Sequence, residues 1–176
     1  MQLSRMVEYD FTSDVYQAMC ATAWIMFFLV FKNVFLLIIL IIQRRKHFIY
    51  KIPEDADNFN HGRSISTTED WSTASRIQRI LINDVEYIPY FFFLLLIMFC
   101  RVDLGDQENQ HYLTRVFVYG FMFTIARYLH TISYLIRNTY GRIFGFFLTI
   151  LTLVLISIDH VYYMSKSLID VNSTKR

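Results

Sequence analysis

The chain is poor in the residues that build loop-rich, disulfide-bonded or nucleic-acid-binding proteins. It has only 5 glycines and 2 prolines in 176 residues, which argues against a fold made mainly of turns. Its 2 cysteines, Cys20 and Cys100, lie in or beside apolar runs without CxxC spacing, so they supply neither a metal nor a redox motif. The net charge of +2 is too small for polyanion recognition, and most basic residues sit beside apolar runs. No cleavable leader is evident, because Arg5 is set against Glu8, Asp10 and Asp14 where a leader needs a basic start. What the chain has in abundance is hydrophobic side chains, 55% of residues, with 17 Phe and 12 Tyr.

These residues fall in runs. Ala18 to Ile42 is interrupted only by Lys32 and Asn33, and a helix needs about 20 residues to cross the hydrocarbon core. Tyr87 to Cys100 is short alone but gains length when extended backward through Arg79. Val116 to Ile136 contains Arg127 and His130, and Ile143 to Tyr163 is apolar as far as Asp159. Lipid forces a backbone to satisfy its own hydrogen bonds, so these runs are helices. Ser66 and Glu69 stand in capping-box register before the second helix, with Trp71 at interface depth. Short connections make sequential helices antiparallel neighbours. The expected fold is therefore all-α: an integral membrane, four-transmembrane-helix up-down bundle. Its spans fall at about 18–42, 72–100, 115–136 and 142–163, with a loop at 43–71 and terminal segments at 1–17 and 164–176.

The first and third connections carry Arg44, Arg45, Lys46, Lys51, Arg63, Arg76, Arg79, Arg137 and Arg142. The opposite side has fewer cations, mixed with acids. The positive-inside bias makes the first side cytosolic and both termini lumenal. Asn172-Ser173-Thr174 is a glycosylation sequon on the lumenal side.

Ionisable groups within spans are expensive and usually face a partner, a cavity or a site. On the second helix Arg76, Arg79, Asn83 and Glu86 recur at helical steps, and Tyr90 continues the row. On the third, Arg127, His130 and Tyr134 do the same, and Arg142 opens the fourth. Two readings are open. The groups pair with one another and fix helix register, with Lys32 meeting Asp84 or Glu86. Alternatively they line a polar pocket at the cytosolic end of the bundle. Its arginines suit carboxylates and Glu86 suits an ammonium, and an opening toward lipid would admit an apolar second substrate. A small channel fits less well, since the helices lack the Gly/Pro breaks common in transporters.

The run Arg79-Ile-Leu-Ile-Asn83-Asp84-Val-Glu86 with Pro89 resembles the second-helix signature of the MAPEG family. Arg127-Tyr-Leu-His130-Thr131-Ile-Ser-Tyr134-Leu135 resembles its third-helix signature. Lys32 and Arg44 keep the family's first-helix spacing, and Pro53-Glu54-Asp55 resembles a tripeptide of the microsomal glutathione transferase and prostaglandin E synthase branch. The resemblance runs from about Ala18 to Tyr163.

It implies a homotrimer in the lipid bilayer, of the endoplasmic reticulum or mitochondrial outer membrane, with glutathione bound between subunits. Arg44, Arg79, Asn83, Glu86, His130 and Tyr134 would bind glutathione, and Arg142 would sit beside its thiol as the catalytic cation. The implied reaction is conjugation of glutathione to lipophilic electrophiles, with peroxidase activity on lipid hydroperoxides as a second expectation. No metal and no nucleic acid is implied. The chain departs from the branch at several points. Pro89 follows Glu86 by three residues where the branch usually has four, Gln78 and Leu81 replace an arginine and a histidine, and the connection from Tyr134 to Arg142 is one residue short and lacks prolines. Ile143 stands where prostaglandin E synthases carry a serine, which speaks against prostaglandin synthesis. The alternative is a weakly active or non-catalytic relative that binds glutathione or lipid and acts as a membrane partner protein.

Overall fold

A computed structural model of the chain describes residues 2–47, 73–102 and 112–174, all but a short turn of them helical. The helices are α1 (Gln2–His47), α2 (Thr73–Val102), α3 (Tyr112–Leu135) and α4 (Thr139–Thr174). Ser66, Glu69, Trp71, the 53–55 tripeptide, Lys51 and Arg63 lie outside the described residues. Two helices run further than their apolar runs alone suggest. α1 begins at Gln2, and α4 continues to Thr174, carrying the backbone of the sequon in its last turn.

Each helix buries one stripe at heptad-like steps. In α1 it is Ala18, Thr22, Leu29, Lys32, Leu36 and Leu40; in α2, Ala74, Ile77, Ile80, Asp84, Phe91, Leu95 and Met98. In α3 it is Val116, Phe123, Arg127 and His130; in α4, Thr149, Thr152, Ile156 and His160. This is the spacing at which side chains of a helix share one face. The buried hydroxyls turn back onto their own helix: Thr22 Oγ1 donates to Ala18 O at 2.9 Å and Thr149 Oγ1 to Gly145 O at 2.9 Å. An apolar interior therefore meets few open hydroxyls.

The pairs made between stripes fix the up-down order. Lys32 meets Asp84 while Arg44 meets Gln78, so α1 and α2 are antiparallel. Asp84 meets Arg127, and Phe91 stacks on Phe123 at 3.9 Å between centroids, so α2 and α3 are antiparallel too. Gly145 packs on His130 and Asp159 lies by Arg115, reversing the direction again for α4. Arg44, Arg45, Lys46, Arg76, Arg79, Arg137 and Arg142 consequently share one end of the bundle, as the charge pattern required.

The turn from α3 to α4 is compact. Asn138 N donates to Ser133 O at 2.8 Å, Arg137 N donates to Tyr134 O at 3.4 Å, and Arg137 has φ 63°. This is a Schellman cap with arginine where glycine is usual. Asn138 Oδ1 then accepts from Gly141 N at 3.1 Å and caps α4. Only residues 136–138 separate the two helices.

Among the described residues, three helices are long and apolar enough to cross a membrane: Tyr16–Lys46, Thr73–Met98 and Thr139–Lys166. α3 has 24 residues, but Arg115, Arg127, His130 and 4 tyrosines dilute its apolar content, and it falls outside that group.

α3 and α4 approach closely at Gly145, where an added Cβ would stand 2.8 Å from the His130 backbone nitrogen. Gly145→Val should lower stability by about 1–3 kcal/mol through overpacking, read as an earlier thermal midpoint in detergent. An unchanged midpoint would mean the two helices do not approach there.

Candidate functional site

The interior of the bundle holds a charge cluster built by three helices. Lys32 of α1, Asp84 of α2 and Arg127 of α3 are 5%, 0% and 0% exposed. Each occupies a position in its helix's buried stripe that an apolar residue would ordinarily fill. Lys32 Nζ donates to Asp84 Oδ2 at 2.7 Å and to Thr131 Oγ1 at 3.3 Å. Arg127 Nε donates to Asp84 Oδ1 at 2.8 Å, and Arg127 Nη2 also bonds that oxygen. The same Nη2 donates to Asn83 Oδ1 at 2.9 Å. The Arg127 guanidinium lies 5.6 Å from the Tyr87 ring centre, and Lys32 Nζ lies 5.8 Å from that of Tyr128. Both cations are thus surrounded by a carboxylate, hydrogen-bond acceptors and ring faces, the arrangement that burial of charge demands.

The candidate ligand-binding residues divide into three groups around this cluster. His130 is buried, and its ring meets that of Tyr134 edge-on at 5.0 Å. The Arg142 guanidinium lies over the Tyr134 ring, 4.9 Å from its centre. These three residues therefore form one contiguous patch where α3 ends and α4 begins. Arg44 is drawn to α2, with Nη2 donating to Gln78 Oε1 at 3.1 Å. Arg79 and Glu86 are exposed on α2, Tyr90 is exposed beyond them, and Asn83 is half-buried between.

One expectation needs correction. The polar rows of α2 and α3 do not line a single cavity inside the subunit. The α3 residues Arg127 and His130 point inward, whereas Arg79, Glu86 and Tyr90 point outward. The reason is Asp84. It is the α2 residue that seeks the interior cations, and its burial rotates the rest of the polar row to the outer face. For Arg127 and Lys32 the pairing reading holds, and Lys32 chooses Asp84 over Glu86.

Asp84 as the hub of the cluster is what the sequence reading missed. A usable signal was present: Ile77, Ile80, Asp84, Phe91 and Leu95 keep a helical step of three, four and seven, and Asp84 is the lone acid in that apolar stripe. Two buried atoms close to the cluster lack partners among the described residues, Arg127 Nη1 and His130 Nδ1. Also among the described residues, no three His, Cys, Asp or Glu side chains converge as metal ligands.

Helices of this length and apolarity, folded around buried charge, make the chain an integral membrane protein of the all-helical class. Residues 22–161, most of the chain, match the model of the MAPEG family, and the chain belongs to that family. The chain has no significant match among curated proteins.

Removing one member of a buried ion pair costs about 3–5 kcal/mol. Asp84→Asn, which strands two cations, should destabilise the protein by about that amount. Lys32→Met, which leaves the Asp84–Arg127 pair balanced, should cost less. Unfolding midpoints of both variants in detergent test this, and equal losses would mean the cluster does not act through charge balance.

Proposed function

We propose that the protein is a membrane-bound glutathione transferase of the microsomal glutathione transferase and prostaglandin E synthase branch. It conjugates glutathione to lipophilic electrophiles and has peroxidase activity on lipid hydroperoxides. In this reading α3 is a fourth span, both termini are lumenal, and the chain works as a homotrimer in the endoplasmic reticulum or mitochondrial outer membrane. The family includes glutathione transferases and related enzymes.

The observation that carries the proposal is the outward polar row of α2. Glu86 lies midway along the Thr73–Met98 span and is exposed, with Arg79 exposed and Asn83 half-buried on the same side. A charged group at mid-membrane facing lipid costs about 2.5–3.5 kcal/mol or more. Glu86 is therefore favourable there only if something polar covers it. A neighbouring subunit with a bound peptide supplies that cover. Glutathione has two carboxylates, one ammonium and amide groups, and the row offers a guanidinium, an amide and a carboxylate to match them. Arg44, His130 and Tyr134 would complete the contacts.

Arg142 stands at the same end of the bundle, half-buried against Tyr134. A free thiol titrates near about 8.5, so little thiolate exists at neutral pH. A fixed cation beside the sulfur favours the thiolate, by about 1.4 kcal/mol per unit of lowering. The thiolate then attacks an electrophilic carbon, or a peroxide oxygen, and the leaving group departs with the electron pair. The nucleophile belongs to glutathione, so the chain needs no catalytic serine or cysteine.

A second reading is favoured by the short α3–α4 turn and by the stacking of Arg142 on Tyr134, which holds the guanidinium against a ring. In that reading the protein binds glutathione or lipid without turnover and serves as a partner in the membrane.

The deciding experiment is a conjugation assay with a nitro-aryl halide and glutathione on purified protein, paired with a binding titration. Turnover supports the transferase, glutathione binding alone supports the partner protein, and the absence of both removes the transferase. Glu86→Gln and Arg79→Ala should each weaken glutathione binding by about 2–5 kcal/mol, the typical loss when a charged partner is truncated. Unchanged affinity in both would mean that the row is not the binding wall. Arg142→Ala should abolish the thiolate absorbance of bound glutathione at neutral pH while leaving binding within about tenfold, or 1.4 kcal/mol. Retained thiolate absorbance would take the activating role away from Arg142.

A further inference from the structure

Building on the reading of α2's outer row as a glutathione wall, we infer that the Lys32–Asp84–Arg127 cluster is a positioning device. It turns Asn83 into a dedicated hydrogen-bond donor on that wall. Arg127 Nη2 lies 2.9 Å from the terminal oxygen of Asn83. The two ends of an asparagine amide are alike in shape, and the neighbour decides which is which. A guanidinium only donates, so the Asn83 atom facing it is Oδ1 and never Nδ2. The interior thus consumes the acceptor end of the side chain.

Nδ2 is left for the outer side of α2, since Oδ1 is the end that faces Arg127. An amide nitrogen has two protons and no lone pair to offer. The ligand atom that meets Asn83 is therefore an acceptor, a carbonyl or carboxylate oxygen. An ammonium or hydroxyl proton in that place would find no acceptor. Along the row this gives a cation at Arg79, a donor at Asn83 four residues on, and a carboxylate at Glu86 three residues further. The order selects a ligand whose oxygen acceptors precede its ammonium.

The cluster supplies the rigidity. Asp84 Oδ1 holds Arg127 through Nε at 2.8 Å and through Nη2, which fixes the plane and the reach of the guanidinium. Lys32 occupies the other carboxylate oxygen at 2.7 Å, so Asp84 cannot swing away to meet Arg127 differently. Arg127 touches the ligand nowhere in this scheme and acts through Asn83.

The test is a double-mutant cycle on glutathione affinity with the full chain in detergent. Arg127→Leu removes the donor that orients Asn83 and leaves Lys32 and Asp84 a balanced pair; Asn83→Ala removes the amide. A hydrogen bond to a charged group is worth about 10- to 100-fold in affinity. Each single variant should lose at least tenfold, about 1.4 kcal/mol, and the double variant should bind no more weakly than Asn83→Ala alone. Additive losses would overturn the positioning role. Arg127→Lys serves if the leucine variant does not accumulate, since its loss must likewise vanish in the Asn83→Ala background.

A ligand-free measurement separates this inference from the function on which it rests. The side-chain amide of Asn83 in nitrogen-15 labelled protein should give one sharp pair of proton signals, broadened or doubled in Arg127→Leu. If the wild-type protein fails to bind glutathione but shows that change, the glutathione reading falls and the positioning stands. An amide signature indifferent to Arg127→Leu overturns the positioning, whatever binds.

Discussion

One carboxylate ties three helices together. Asp84 accepts from Lys32 on α1 and from Arg127 on α3, in an interior that otherwise contains mainly apolar groups, hydroxyls and the imidazoles of His130 and His160. Such a cluster is costly to leave half-made, because any missing member strands a charge away from water. It therefore fixes the rotation of each helix about its own axis more sharply than packing alone. The consequence for α2 is geometric. At about 100° per residue, Glu86 lies about 160° and Arg79 about 140° round the helix from Asp84. Turning Asp84 inward turns both of them outward.

The polar groups of this family member thus have two tasks on two sides of one helix. The inner side fixes the bundle, and the outer side presents charge at mid-span where lipid would penalise it. Asn83 sits at the boundary, bonded inward through Oδ1 and half-open to the outside. The patch formed by His130, Tyr134 and Arg142 lies where α3 turns into α4, close in the chain to the Schellman cap at Arg137. That compact turn sets the entry direction of α4 and hence where Arg142 stands. Under the proposed reading, the α2 row binds glutathione and this patch acts on its thiol.

Much of the architecture was legible in the sequence because apolar run length and short connections leave few alternatives. The runs beginning at Ala18, Tyr87 and Ile143 fall inside observed helices, the run from Val116 outlasts its helix by Ile136 alone, and the antiparallel order follows from the connections. The pairing of Lys32 with Asp84 was one of two partners that the sequence allowed. What could not be read was the direction of the α2 row. Helical spacing says that Arg79, Asn83 and Glu86 share a side, but only the competition between Asp84 and that row for the interior says which side. Asp84 wins because two cations from other helices wait there. The length of α4 was also hidden, since polar residues after Tyr163 continue a helix without an apolar signature.

The most direct measurement is an experimental structure of the protein in lipid nanodiscs with saturating glutathione. The account predicts glutathione against the outer face of α2, touching Arg79, Asn83 and Glu86 beneath a neighbouring subunit, with Asp84 still bonded to Lys32 and Arg127. Lipid chains lying directly on that face, or glutathione bound elsewhere, would contradict it.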